Sequence, residues 1–357
     1  MLARNIISLA VAVMVVLTAI NFLGDISPQS DDESIHGWQF DDYVESEGVS
    51  SVDGSLELVE FAGTDYIHAK SLGKGTIVYT NGHIETVDVH KASLEVVLLW
   101  GQSNAANFVM DRTAAPTPLP GTSYYFGSSS AYATQGGTGA DYSQWAWQDM
   151  LNSSGECKVG DKAPALCKAL NEQTGHKVYV VDGAIGNKAI ATFFPGQEVW
   201  NYCEGLLSAA ISAIDTNNYN YKVRYYCWIQ GESDQYSSST PMYKRMFTHL
   251  FDHMVSGEMG YKFEDVFVSL LESRFTVANS AFNELASDNT HIHIGASAEG
   301  FTTGNGLLWT DGVHYTQAGD NIIGDELGTS IASVMGQDSG GSRFDGTMNM
   351  IISFISI

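Results

Sequence analysis

The chain reads as an α/β protein built on a parallel sheet with helices on both faces, preceded by a small β segment. Three observations predict this. From Leu94 onward, strand-like and helix-like stretches alternate. Strand runs such as Val96–Trp100 are apolar at successive positions, as expected when both faces of a sheet are covered. Three short polar motifs directly follow apolar runs, at the strand ends where open α/β sheets collect their active residues.

Residues 1–30 hold the apolar run Ile6–Leu23, with Arg4 before it and Asp25 after it; Asp31, Asp32 and Glu33 extend the acidic flank. That charge order predicts an inside N-terminus and an exported remainder, extracellular or held at the cell surface. A cleaved signal peptide and an uncleaved anchor both fit the run; the lack of an Ala-x-Ala site favours the anchor. Residues 31–92 are expected to form an acidic linker, Asp31–Ser51, and a small β-hairpin unit. Its hairpin is marked by Asn81-Gly82 between Thr76–Tyr79 and Ile84–Val89.

Residues 93–337 form the main domain. Strands are predicted at Leu94–Trp100, Lys177–Val181, Val223–Ile229, Val266–Leu271 and His291–Gly295. Helices are predicted at Lys162–Glu172, Val199–Ile214, Met242–Ser256, Val277–Ser287 and Gln317–Val334. Phe108–Ser143, rich in Gly, Ser, Thr and Tyr, reads as a long functional loop. Residues 338–357 form a tail, of which the apolar Met348–Ile357 is too short to span a bilayer as a helix; it suits a last strand, a free tail or the start of an anchor.

The net charge of -24 leaves no basic surface for nucleic acid or anionic headgroups, so membrane contact is expected only through the N-terminal segment. No protein partner is indicated. Of the four cysteines, Cys157 and Cys167 are the favoured pair for a disulfide closing a surface loop, while Cys227 suits a buried thiol.

The motifs are Gly101-Gln102-Ser103-Asn104, Gln230-Gly231-Glu232 and Asp311-Gly312-Val313-His314. They supply a serine, an amide and an Asp/His pair three residues apart, the groups that serine-based acyl transfer needs. Each alone has a plainer reading: a helix-capping serine, a hydrogen-bonded turn, a turn aspartate beside a surface histidine. Gly186, after the second strand, offers a backbone N–H. A Gly-x-Ser-x-Gly elbow is absent, since Ala105 stands at its second glycine. His249 and His253 lack the glutamate of a zinc-binding His-Glu-x-x-His helix, Leu250 standing in its place.

Together the three blocks, in this order and over roughly Leu94–Val334, resemble the SGNH (GDSL-like) hydrolase superfamily. Within it they are similar to the branch of sialate O-acetylesterases and acetylxylan esterases. The resemblance implies a flavodoxin-like three-layer α/β/α sandwich with about five parallel strands. It implies Ser103 as nucleophile, His314 as base and acid, and Asp311 as the carboxylate orienting it. It implies oxyanion donors at the Ser103 N–H, the Gly186 N–H and the Gln230 amide, with Gln102, Asn104 and Glu232 supporting the site. No cofactor is implied, and the substrate would be an acetylated carbohydrate. One departure stands out: Gly186-Asn187-Lys188 replaces the branch's usual Gly-Gly-Thr or Gly-Gly-Ser. The rival readings are a catalytically silent glycan- or partner-binding surface protein and a general short-chain acyl esterase or lipase of the same fold. The aromatics Tyr124, Tyr125, Phe126, Tyr132, Tyr142, Trp145 and Trp147 suit either sugar stacking or loop packing.

Overall fold

The computed structural model of the chain describes residues 36–106, 111–128, 142 and 145–338. The runs Ile6–Leu23 and Met348–Ile357 lie outside the described residues, among which no helix is long and apolar enough to cross a membrane.

Seven short strands come first: β1 (His36–Gln39), β2 (Tyr43–Glu45), β3 (Val49–Gly54), β4 (Leu56–Phe61), β5 (Thr64–Ala69), β6 (Gly73–Tyr79) and β7 (Ile84–His90). They form a four-stranded sheet, β1-β7-β6-β3, and a three-stranded one, β2-β5-β4. The expected linker therefore carries strands from His36 onward. Its polar residues hid them because these thin sheets leave most of β2 and β3 exposed. The Asn81-Gly82 hairpin joins antiparallel β6 and β7, with Gly82 at φ +85. Leu56, Ile67, Ala69, Ile77, Val87 and Val89 form a small core of their own. Phe40 meets Tyr219 edge to face at 5.4 Å, and the buried Lys177 donates to Asp41 O at 2.9 Å, fixing this unit to the larger one.

The larger sheet contains β8 (Ala92–Gly101), β9 (Ser123–Ser128), β10 (Trp145–Asp149), β11 (Lys177–Asp182), β12 (Tyr219–Ile229), β13 (Asp265–Leu270) and β14 (Ile292–Ser297). Their order is β10-β9-β11-β8-β12-β13-β14. The five expected strands are mutually parallel. The segment expected to be a loop, Phe108–Ser143, contributes β9, parallel to β11, and β10 just after it pairs antiparallel with β9. Its aromatics pack here. Trp147 lies 4.4 Å from Tyr179 and 5.3 Å from Phe126, and Tyr124 lies 4.7 Å from Tyr179, which takes these rings away from sugar stacking. Tyr132 lies outside the described residues.

Five helices follow the predicted ones: α1 (Ala163–Thr174), α2 (Glu198–Ser212), α3 (Thr240–Ser256), α4 (Thr276–Asp288) and α5 (Gln317–Asp338). Proline in the first turn and a left-handed glycine at the C-cap bound α1 and α3. Both faces of the sheet are covered. Consecutive strand residues point to opposite faces. Trp228 meets Phe247 of α3, while Phe267, in register with the preceding Cys227, lies with Gly295 and Leu327 of α5.

All four cysteines are buried and free, which corrects the Cys157–Cys167 pairing. Cys167 sits on α1 with its Sγ 4.0 Å from Val178 O, on the sheet side, while the Cys157 Sγ lies 3.4 Å from Pro116 O. Because β11, β8 and β12 are neighbours and parallel, their C-terminal ends at Asp182, Gly101 and Ile229 bring the Gly186 turn and the first two motifs to one edge, whereas Asp311–His314 follows no strand, only the isolated Leu308–Tyr315 bridge.

Candidate active site

The turn after β8 is held against the end of β12. Gly101 has φ +140, and a Cβ there would stand 2.0 Å from Ile229 O, so only glycine fits. Gln102 N–H donates to Ile229 O at 3.0 Å, and Gln102 O accepts from the N–H groups of Ala105 and Ala106. Ser103 is 8% exposed at the top of this turn.

The second segment is a tight turn closed by the Leu308–Tyr315 bridge, with Trp309 N–H donating to His314 O at 2.8 Å. Asp311 Oδ1 accepts from the N–H groups of Val313 (2.8 Å) and His314 (3.1 Å). Asp311 Oδ2 accepts from His314 Nδ1–H at 2.8 Å. That bond sets the tautomer: Nε2 is left to accept from Ser103 Oγ–H at 2.9 Å. Slight burial works to raise the Asp311 pKa, but the imidazole and the two backbone donors outweigh it and hold this carboxyl below the usual range. Ser103, His314 and Asp311 thus form one continuous hydrogen-bond chain, able to remove the serine proton and stabilise the imidazolium that results.

Asn104 joins the two segments. Its Nδ2 donates to Glu232 Oε1 (2.8 Å) and Val313 O (3.0 Å), and its Oδ1 accepts from Tyr315 N–H at 3.2 Å. Burial pushes the Glu232 carboxyl up, against its bond from Asn104. Gly186 lies in the turn after β11, where Ile185 N–H donates to Gly101 O at 3.0 Å. Asn187 has φ +59, a conformation asparagine tolerates better than most residues, which explains how it can replace a glycine. Among the described residues nothing accepts from the backbone N–H of Ser103 or Gly186.

Gln230 is fully buried and tightly engaged. Its Nε2 lies within hydrogen-bond reach of Gln102 Oε1 (3.2 Å), Lys188 O (3.1 Å) and Asp234 Oδ2 (2.6 Å), and Tyr243 OH donates to its Oε1 at 2.6 Å. In this state its amide braces the ends of β8 and β12. The sequence reading missed Asp234 and Tyr243. Asp234 stood four residues past Gln230 in the same block, whereas Tyr243 is indistinguishable from a core tyrosine until α3 is packed.

Two aromatic side chains are exposed on these loops: Trp309 at 45% and Tyr236 at 93%. A surface cavity of about 570 Å³ beside α3, lined by Lys244, Arg245, His249 and Asp252 among others, includes none of the residues above. Among the described residues no cluster of His, Cys, Asp and Glu is arranged to hold a metal ion; His249 and His253 face each other at 3.3 Å on α3.

Residues 93–333 match the family model for "carbohydrate esterase, sialic acid-specific acetylesterase". No curated protein matches the chain by sequence. Among solved structures, NanS aligns with a TM-score of 0.51 at 12% identity, over 70% of this chain and 99% of that one, a likeness of fold. A protein from Arabidopsis thaliana aligns at 0.47 and 15% identity, over 67% of this chain and 98% of that one. A carbohydrate acetylesterase from Xanthomonas citri aligns at 0.43 and 15% identity, over 84% and 72%.

Proposed function

Because the chain belongs to the carbohydrate esterase family of sialic acid-specific acetylesterases, we propose that it removes O-acetyl groups from carbohydrate through an acetyl-serine intermediate on Ser103. The observation that carries this reading is the continuous chain Ser103 Oγ–His314–Asp311, with links of 2.9 and 2.8 Å.

His314 Nε2 takes the Ser103 proton as Oγ attacks the acetyl carbonyl. Asp311, held ionised by its donors, steadies the imidazolium. The N–H groups of Ser103 and Gly186 receive the oxyanion. The Gln230 amide is the third donor, and it exchanges one of its present acceptors for the oxyanion. The sugar oxygen leaves with the proton from His314, and water, deprotonated by the same imidazole, then releases acetate. Gln102, Asn104 and Glu232 keep the segments in place. The chemistry calls on no metal or organic cofactor. Trp309 and Tyr236, exposed beside the two motifs, suit stacking on a sugar ring.

Leaving aside the edge strands β9 and β10, the five expected strands run second, first, third, fourth, fifth across the sheet in chain order, which supports a flavodoxin-like three-layer core for the esterase domain, residues 93–337. Within residues 31–92, the strands from His36 onward serve as a β collar. The run Ile6–Leu23 and the charge of -24 support an exported, surface-held enzyme.

The test is acetate release from p-nitrophenyl acetate and a panel of acetylated glycans, with S103A as control. Activity that falls by at least about 1,000-fold in S103A, with an acetyl adduct on Ser103 trapped by mass spectrometry, supports the reading. No ester turnover by the unaltered chain refutes it.

A further inference from the structure

A buried cluster of titratable side chains behind the Ser103 turn has no part in the steps above. Lys162, which precedes α1, is 1% exposed; Asp161 is 0% and Asp320, on α5, is 2%. Lys162 Nζ lies 3.3 Å from Asp320 Oδ1 and 3.3 Å from Ala105 O. Ala105 is two residues past Ser103, in the turn that presents it, and Asp320 is six residues past His314. A second clasp runs alongside: Asp161 N–H donates to Gln317 Oε1 at 2.8 Å, and Gln317 Nε2 donates to Asp161 O at 2.7 Å. The two helices are closely packed at this point. A Cβ at Gly324 would stand 2.2 Å from Lys162 O, and one at Gly328 would stand 2.4 Å from Leu166 O, so α5 has little freedom to shift against α1.

Resting on the esterase reading, we infer that Lys162 is a positioning residue: its ammonium ties the nucleophile turn, through Ala105 O, to the helix that follows the base, through Asp320. A buried ion pair is weak evidence for stability, because apolar residues of similar volume often replace it at no cost. Its position gives a different reason for it. Ser103 Oγ and His314 Nε2 must stay within hydrogen-bond reach, and a displacement of about 1 Å between reacting groups can cost about 100-fold in rate. Asn104 links the two segments through Val313 O and Tyr315 N–H. Lys162 provides a second tie through Ala105 and α5.

The experiment compares the full chain with K162M and with the double variant K162M/D320L, which removes both charges and so avoids an unpaired buried one. Three readouts are taken: kcat and KM on p-nitrophenyl acetate, the rate of Ser103 labelling by an alkyl fluorophosphonate, and the melting temperature. We expect K162M to melt lower and the double variant to melt near the unaltered chain. Both should lose about 10-fold or more in kcat and in labelling rate, with KM within about twofold. A folded double variant with unaltered kcat and labelling rate overturns the inference, as does failure of both variants to fold, which would make Lys162 a folding residue. If the unaltered chain neither turns over the ester nor labels, the esterase reading itself has failed and takes this inference with it. Turnover by the unaltered chain and by the double variant alike would sink the inference alone.

Discussion

Ser103 and His314 are 211 positions apart, yet their side chains meet at 2.9 Å. Asp311 holds His314 with one carboxylate oxygen and two backbone N–H groups with the other, so both oxygens have a use. An asparagine there can keep only half of this. Its carbonyl would still accept from the backbone, but its amide would face Nδ1 as a donor and force the proton onto Nε2. D311N should therefore lower kcat by about 1,000-fold or more at neutral pH, with a fold unchanged by circular dichroism. A loss below tenfold would show that Asp311 does not set the tautomer. At this scale the residue types were readable, because Asp and His three apart can only meet locally. The state of Gln230 was not, since its amide acceptors come from Gln102, Lys188 and Asp234, on three separate segments.

At the scale of elements, two glycines decide how the strands end. Gly101 at φ +140 and Gly231 at φ +144 terminate β8 and β12, and a Cβ on either would stand within 2.3 Å of a neighbouring atom. At Gly101 that atom is a backbone carbonyl, which cannot swing aside. G101A should cost about 3 kcal/mol or more in stability and displace Ser103 in whatever folds, read by chemical denaturation and fluorophosphonate labelling. A variant with native stability would contradict the packing described. The helices and five parallel strands were legible because their apolar period repeats over ten or more residues or fills a continuous run. β9 and β10 were not. Ser123–Ser128 lies in a Gly- and Ser-rich stretch and Trp145–Asp149 just after it, and their extended form depends on the edge of β11 and on ring contacts such as Trp147 with Tyr179.

Across the whole molecule, the buried acids set how stability answers to pH. Burial raises the carboxyls of Asp149, Asp161, Glu232 and Asp234, and Asp161 is pushed up to about 8. Each keeps its proton in the folded state after the unfolded chain has lost it. Stability therefore falls as pH rises from the ordinary carboxylate range to each raised value, by about 1.4 kcal/mol per unit for each retained proton. His68 adds to the trend. Burial opposes its charge, but Asp41 and Glu57, each 2.9 Å away, raise it, so its contribution is full below the ordinary imidazole value and is lost at higher pH. Asp311 acts oppositely, only on the acid side, and is too exposed to weigh much. The melting temperature should be higher at pH 5.5 than at pH 8.5. D161N, which asparagine tolerates at φ +69, should flatten the slope between them; identical slopes would show that Asp161 does not hold that proton.

The sequence by itself determined the alternation of strands and helices, the glycines and turns at the strand ends, and the chemical types gathered there. These are local properties, set by neighbours a few residues away. Tertiary structure alone decided which backbone N–H groups stay without an acceptor among the described residues, that β9 and β10 extend the sheet, that the cysteines are unpaired, and that Lys162 and Asp320 are buried together. Each of those depends on contacts between segments tens to hundreds of residues apart, where the energy of burial and the geometry of packing override local preference.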